Sequence, residues 1–132
     1  MPPKAVDIDA AIAPLPVLKN RTPDTEGSEV ASAFAVLAET ETGAVFAGSF
    51  KGTSQWQRHP NGDELVQVLS GETKLKIIMD DGDHTLQMTA GMVTIVPRGC
   101  WHQFEAPGGV SVMAMTPQPT DHSKTYPSST AG

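Results

Sequence analysis

Apolar and polar residues alternate in short runs through most of the chain, and each run ends at turn-forming residues. One run, Thr73–Met79, carries Lys74 and Lys76 between apolar residues, so one of its faces is wet and the other is buried. No helical period of useful length interrupts these runs. The pattern predicts strands at Ala33–Glu39, Ala44–Phe50, Gln55–His59, Glu64–Ser70, Thr73–Met79, His84–Met88, Met92–Val96, Trp101–Glu105 and Val110–Met115.

Turn sequences separate the predicted strands. Thr40–Gly43 is a hairpin candidate, and Pro60-Asn61-Gly62-Asp63 is a strong turn because Asn and Gly accept positive φ. Asp80-Asp81-Gly82 marks a further turn. About eight or nine short strands in one small domain are typical of a β-barrel or a β-sandwich.

The two ends of the chain lack this alternation. We expect an irregular N-terminal segment over residues 1–29, with one helical turn at Asp7–Ile12 before Pro14. The folded domain is predicted to span residues 30–116. Residues 117–132 are predicted to form a C-terminal tail, because they have almost nothing to bury.

Composition narrows the class of protein. With 132 residues there is room for one domain, and a net charge of −6 disfavours nucleic acid as a partner. Cys100 is the single cysteine, so no intrachain disulfide can form. There is no signal-peptide core and no apolar stretch near the roughly 20 residues that cross a bilayer. The expectation is a soluble, cytoplasmic protein with no membrane partner.

Polar side chains stand where predicted strands meet turns. His59 precedes the Pro60–Asp63 turn and Glu64 follows it, so the hairpin brings both to one end of the sheet. Gln57 shares a strand face with His59, because side chains alternate with a period of two. His102 begins a separate strand. Two imidazoles and a carboxylate from different strands form a ligand set used for Fe(II), Mn(II), Ni(II) or Zn(II).

These residues also carry a family resemblance. The stretch Gln57–Gly71 resembles the first cupin motif, with His59, Glu64 and Gly71 at matching positions. The stretch Gly91–His102 is similar to the second motif, in which Gly, Pro-x-Gly and His are all present. The resemblance covers roughly residues 30–116 and implies a jelly-roll β-barrel with a metal in its mouth, frequently dimeric.

Two positions depart from the cupin pattern. Gln57 replaces the first motif histidine, and Ala106 stands where the second motif usually ends in Asn. The ligand set is then His59, Glu64 and His102, a face of two histidines and one carboxylate with open positions for water or substrate. Gln57 is a fourth ligand through its amide oxygen, a hydrogen-bond partner of the substrate, or a spectator.

Each candidate also has a purely structural interpretation. His59 and His102 would then be core histidines, and Glu64 would be a surface residue of the hairpin. In the functional interpretation, Glu64 is either a metal ligand or a general base. Arg98 is a substrate-carboxylate anchor or a solvated turn residue. The predicted pocket residues are Phe46, Val66, Phe104, Met113 and Arg98.

Cupins do not share one chemistry, so the resemblance leaves the function open. The first hypothesis is an enzyme of the oxygenase, isomerase or lyase class, with one divalent metal per chain, acting on a small oxygenated molecule. The second is a non-catalytic module that senses a metal or a small ligand. The third is a metal-free, degenerate barrel, which is supported by the departures from the cupin pattern at Gln57 and Ala106. A homodimer is expected from the resemblance.

Overall fold

The computed structural model describes residues 2–127, which form nine strands and two short helices. The two helices in this range have five and six residues, too few to span a bilayer. In chain order the elements are α1 (Ile8–Ile12), β1 (Leu18–Arg21), α2 (Gly27–Ser32), β2 (Phe34–Glu39), β3 (Gly43–Thr53), β4 (Trp56–Arg58), β5 (Glu64–Met79), β6 (Gly82–Thr89), β7 (Val93–Val96), β8 (His102–Pro117) and β9 (Asp121–Ser123).

Strands β5 and β8 are antiparallel neighbours and take part in both layers of a curled sheet. In one layer, the first half of β5 pairs with the second half of β8. On one side of this pair β8 continues to β3 and then β2, and on the other side β5 pairs with β7. In the other layer, the second half of β5 pairs with the first half of β8, and this pair lies between β6 and the β4–β9 pair. The layers fold over one another and enclose the core, which is the predicted jelly-roll barrel.

Each of these two strands was predicted as two separate strands. The glycines at the expected breaks have positive φ, 73° at Gly71 and 95° at Gly109, and the register shifts near both. Glycine adopts this conformation without a Cβ clash, so the chain bends and continues instead of ending. The bend carries one strand from the first layer to the second.

The core follows the alternation read from β5. Glu64, Val66 and Val68 all face inward and are buried, as their shared parity predicts. Leu75 and Ile77 continue the same buried face beyond the bend. The inward face is therefore apolar except at its first position, where a carboxylate stands at the end of the strand.

The N-terminal segment is more ordered than expected. The helical turn is confirmed as α1, in which the Asp7 side chain accepts a hydrogen bond from the backbone of Ala10. The prediction of an irregular segment is wrong at β1, which lies parallel to β3. A four-residue strand can form through backbone hydrogen bonds to an open edge alone. It therefore needs no alternation of apolar and polar residues that the sequence would show.

The C-terminal segment also joins the barrel. β9 pairs with β4, and the Arg58 guanidinium donates to the Asp121 carboxylate at 2.9 Å. Tyr126 packs edge-on against Trp56 and donates a hydrogen bond to Asp83. Residues 117–127 therefore cover one end of the barrel, and the rest of the predicted tail lies outside the described residues.

We expect Gly52→Ala to destabilise the fold. Gly52 has a φ of 121°, and a Cβ there would overlap the backbone carbonyl of Arg21 in β1. Left-handed strain and the loss of the β1–β3 contact should cost roughly 1–3 kcal/mol, measured by denaturant unfolding. Gly108→Ala is the control, because a Cβ at Gly108 meets nothing within 4 Å. Equal stability of the two variants would contradict the close approach of β1.

Candidate metal centre

Three side chains converge at one end of the barrel interior. His59 follows β4, Glu64 begins β5 and His102 begins β8, so the site depends on three separate strands. Nε2 of His102 lies 3.0 Å from one Glu64 carboxylate oxygen, and Nε2 of His59 lies 3.3 Å from the other. The two imidazole ring centroids are 5.2 Å apart. The structure thus brings together the three residues selected from the motif spacing.

The three side chains are almost completely shielded from solvent. Relative exposure is 3% for His59, 4% for Glu64 and 0% for His102. Burial alone would raise the pKa of the Glu64 carboxyl, but contacts with the His102 and His59 rings outweigh it and lower this pKa to about 2. Glu64 is consequently a carboxylate throughout the neutral range.

Hydrogen bonds fix the outward nitrogen of each ring. Nδ1 of His102 lies 3.3 Å from the Cys100 carbonyl, to which it can only donate. Nδ1 of His59 lies 3.0 Å from the Thr120 hydroxyl, which itself donates to the Gln118 side chain and so accepts from His59. In the neutral form of each ring, the nitrogen without a proton is then Nε2, which is the atom available to a metal ion.

These inner atoms fit a cation. Within residues 2–127, His59 Nε2, His102 Nε2 and Glu64 Oε1 have no hydrogen-bond partner although all three are buried. The short contacts between these atoms therefore lack the alignment of a hydrogen bond. The three ligand atoms lie within 4.8 Å of one another, a spacing that a single ion can bridge. A divalent cation satisfies all three at once, and the donor set suits Fe, Mn, Ni or Zn.

Two threonines support the site, and neither was selected from the sequence. The Thr116 hydroxyl donates to Glu64 at 2.6 Å, since Leu65 and Met115 pair and bring the ends of β5 and β8 together. Thr120 orients His59 from the segment predicted to be a tail. Thr116 could have been found by continuing the alternation of β8 from His102, but Thr120 follows no pattern.

Gln57 lies beside the cluster. It pairs with His102 across β4 and β8, and directly opposed residues point to the same face of a sheet. Its side chain lines the same interior space as His59 and Glu64. Whether its amide binds a metal or a substrate stays a prediction.

A cavity of about 540 Å³ adjoins the cluster. Its wall contains His59 and Glu64 at one end, and most of the rest is apolar, with four phenylalanine rings. The predicted pocket residues Phe46 and Phe104 both belong to this wall. The four rings are those of Phe34, Phe46, Phe50 and Phe104.

The other three predicted pocket residues lie elsewhere. Val66 is fully buried inside the hydrophobic core and does not line the cavity. Met113 has the wrong parity, because its neighbours Val112 and Ala114 on β8 face the cavity. Arg98 is exposed, and its guanidinium donates to the Pro60 carbonyl, so it supports the turn beside His59 rather than the cavity.

A curled, mainly antiparallel sheet with a buried His–Glu–His cluster beside an interior cavity defines the class of small jelly-roll barrels. The Cupin domain family matches residues 49–116, more than half of the chain. The chain therefore belongs to the cupin family. No curated protein matches it.

Solved structures agree with this fold. A cupin-2 domain protein from Shewanella frigidimarina has a TM-score of 0.51 and 24% identity, over 73% of this chain and 96% of that one. Hydroquinone 1,2-dioxygenase PnpCD, solved with Cd²⁺ and 4-hydroxybenzonitrile, has a TM-score of 0.55 and 19% identity, over 64% of this chain and 63% of that one. Oxalate decarboxylase from Bacillus subtilis has a TM-score of 0.56 and 17% identity, over 67% and 26%.

The matches to the two enzymes are partial. This chain spans less than two thirds of the dioxygenase and about a quarter of the decarboxylase. At these identities the likeness concerns the fold.

We expect Thr120→Val to weaken metal binding about 10- to 100-fold, because His59 loses the acceptor that orients its ring. The measurement is competition for Zn²⁺ with a chromogenic chelator. Thr120→Ser should restore binding by returning the hydroxyl, and Thr85→Val, at an exposed threonine of β6, is the matched control. Unchanged affinity in Thr120→Val would contradict this role.

Proposed function

We propose that the protein is a mononuclear metal-dependent enzyme that acts on a small oxygenated molecule bound in the cavity. The observation that carries this proposal is the set of three buried atoms on His59, Glu64 and His102 that have no hydrogen-bond partner among residues 2–127. His59 and Glu64 also line a space large enough for a ligand. A purely structural cluster would pair these atoms with one another or with the backbone. Oxygenase, isomerase and lyase chemistry all fit this arrangement.

Each residue has a defined task in this proposal. His59, Glu64 and His102 would hold one divalent cation, which supplies Lewis-acid or redox chemistry when bound. Thr116 holds one Glu64 oxygen by its short hydrogen bond, so the carboxylate keeps a fixed orientation. The phenylalanine wall excludes water and positions an apolar part of the substrate. Glu64 is the nearest base for moving a proton if it does not bind the metal.

Metal analysis of the purified protein tests the proposal. We expect close to stoichiometric metal in the wild type and its loss in His59→Ala and His102→Ala, since each variant removes one of three ligands. His84→Ala is the matched control, because His84 is exposed and paired with Asp81. Glu64→Ala should also lose metal, and retention in that variant would make Glu64 a general base. No metal under any loading condition would favour a metal-free barrel.

The same metal-loaded protein separates an enzyme from a sensor. Oxygen uptake and product formation with small diketones, catechols and hydroxy acids would establish catalysis. Binding without turnover across this panel would favour the sensing module. Both outcomes are read against His102→Ala, which keeps the cavity wall and loses a ligand.

We also propose a cytoplasmic homodimer. On the outer face of the sheet, Ile95 pairs with Leu65, which in turn pairs with Met115. Ile95 and Met115 are 48% and 43% exposed, and the neighbouring Val93 on β7 is 58% exposed. β7 pairs only with β5 in the described part of the chain, so this apolar row reaches an open edge where a second copy can pack.

The dimer is tested by light scattering coupled to size exclusion. We expect the wild type to have the mass of two chains and Ile95→Lys that of one, because a buried charge would face the partner. Gln87→Lys, at an exposed position of β6, should leave the mass unchanged. A wild type that stays monomeric at every concentration would overturn the proposal.

A further inference from the structure

One buried cation in the cavity wall has no counter-ion. Arg21 at the end of β1 is only 6% exposed and lines the cavity. Burial is the one cause that shifts its pKa, so no charged or hydrogen-bonding group among the described residues pairs with its side chain. Burial lowers its pKa to about 10, so the guanidinium still carries its charge at neutral pH. A buried, unpaired charge is costly, and proteins rarely keep one without a use.

The guanidinium is held by aromatic rings and not by an acid. Its central carbon lies 4.5 Å from the Phe50 ring centroid and 6.0 Å from that of Phe34. Stacking on these ring faces compensates part of the charge. Among the described residues it leaves the N–H donors at the rim of the guanidinium plane without protein acceptors, in the wall of the cavity.

The backbone of Arg21 is fixed by two independent contacts. Arg21 pairs with Gly52 of β3, where the missing Cβ allows the close approach described above. Two residues further on, the Pro23 carbonyl accepts a hydrogen bond from the Gln55 side chain at 2.7 Å. The fold therefore anchors β1 at the point where its arginine enters the cavity.

A continuous aromatic wall leads from Arg21 to the metal centre. The Phe50 ring lies 6.1 Å from the Phe104 ring, which lies 6.0 Å from the His102 ring. A ligand with a flat or apolar body can lie along these rings, with one end at the guanidinium and the other near the cluster.

We propose that Arg21 is a binding residue for the carboxylate of the cavity ligand, and that the ligand is a monocarboxylate with an aromatic or similarly apolar body. Arg21 is the only lysine or arginine among the described residues that line the cavity. A planar carboxylate matches one guanidinium with two parallel hydrogen bonds.

This inference deepens the proposed function, because it takes the cavity to be the substrate site. It assigns to Arg21 the role that the sequence suggested for Arg98. β1 lies before the part of the chain that matches the cupin family, so the cupin motifs do not supply this residue.

Calorimetry on the full chain, after metal removal with a chelator, tests the proposal. Benzoate has the carboxylate and the ring, whereas benzamide is its neutral isostere. We expect the wild type to bind benzoate at least about tenfold more tightly than benzamide, because two charge-assisted hydrogen bonds are gained. The Arg21 Nε–H signal in an NMR spectrum should shift with benzoate and not with benzamide.

Variants locate the binding residue. Arg21→Met keeps the length and the apolar stem and should bind both probes equally, while Arg21→Lys should restore part of the preference. Arg98→Met is the matched control and should behave as the wild type. Arg21→Met should keep its metal, so loss of carboxylate preference with normal metal content separates this proposal from the metal site.

Two results would overturn the proposal. One is equal binding of benzoate and benzamide by the wild type, or binding of neither, with an unmoved Arg21 Nε–H signal. The other is a benzoate preference that appears only after metal loading and survives Arg21→Met. The wild-type measurements decide the question even if Arg21→Met fails to fold, because they do not depend on the variant.

Discussion

The buried Glu64 carboxylate is the main constraint on the barrel, because its charge must be compensated by groups from several strands. An ionised carboxylate is expensive to desolvate, and this one is tolerated because the His59 and His102 rings and the Thr116 hydroxyl surround it. Since these partners come from different strands, the charge is compensated only when the barrel is closed. The polar cluster and the apolar fold therefore stabilise each other, although neither is local in sequence.

The sequence predicts the inner cluster well because strand alternation is a local property. His59 and Glu64 flank one turn, and parity then places Val66 and Val68 inside. The same logic applied from His102 would have placed Val112 and Ala114 inside and Met113 outside. The glycine pair in the middle of β8 predicted a break in the strand, so the alternation of side chains was not continued from His102 to Met113.

The residues that the sequence could not reveal come from the two ends of the chain. Arg21 reaches the cavity on β1, and Thr120 reaches His59 just before β9. Both depend on short strands that pair through backbone hydrogen bonds, which carry no side-chain pattern. Their placement depends on an open edge elsewhere in the sheet, so a local reading classifies both segments as irregular.

The resulting cavity is electrically asymmetric. Glu64 is compensated by polar groups of the protein, whereas Arg21 rests only on the Phe34 and Phe50 rings, and the two opposite charges do not pair. A direct ion pair would neutralise both charges and leave no difference in charge between the two parts of the cavity wall. Held apart in the metal-free protein, they leave a positive charge at one place in the cavity wall and a negative charge at another. Because β1 lies outside the family match, this separation of charges is a property that the N-terminal segment adds to a common barrel.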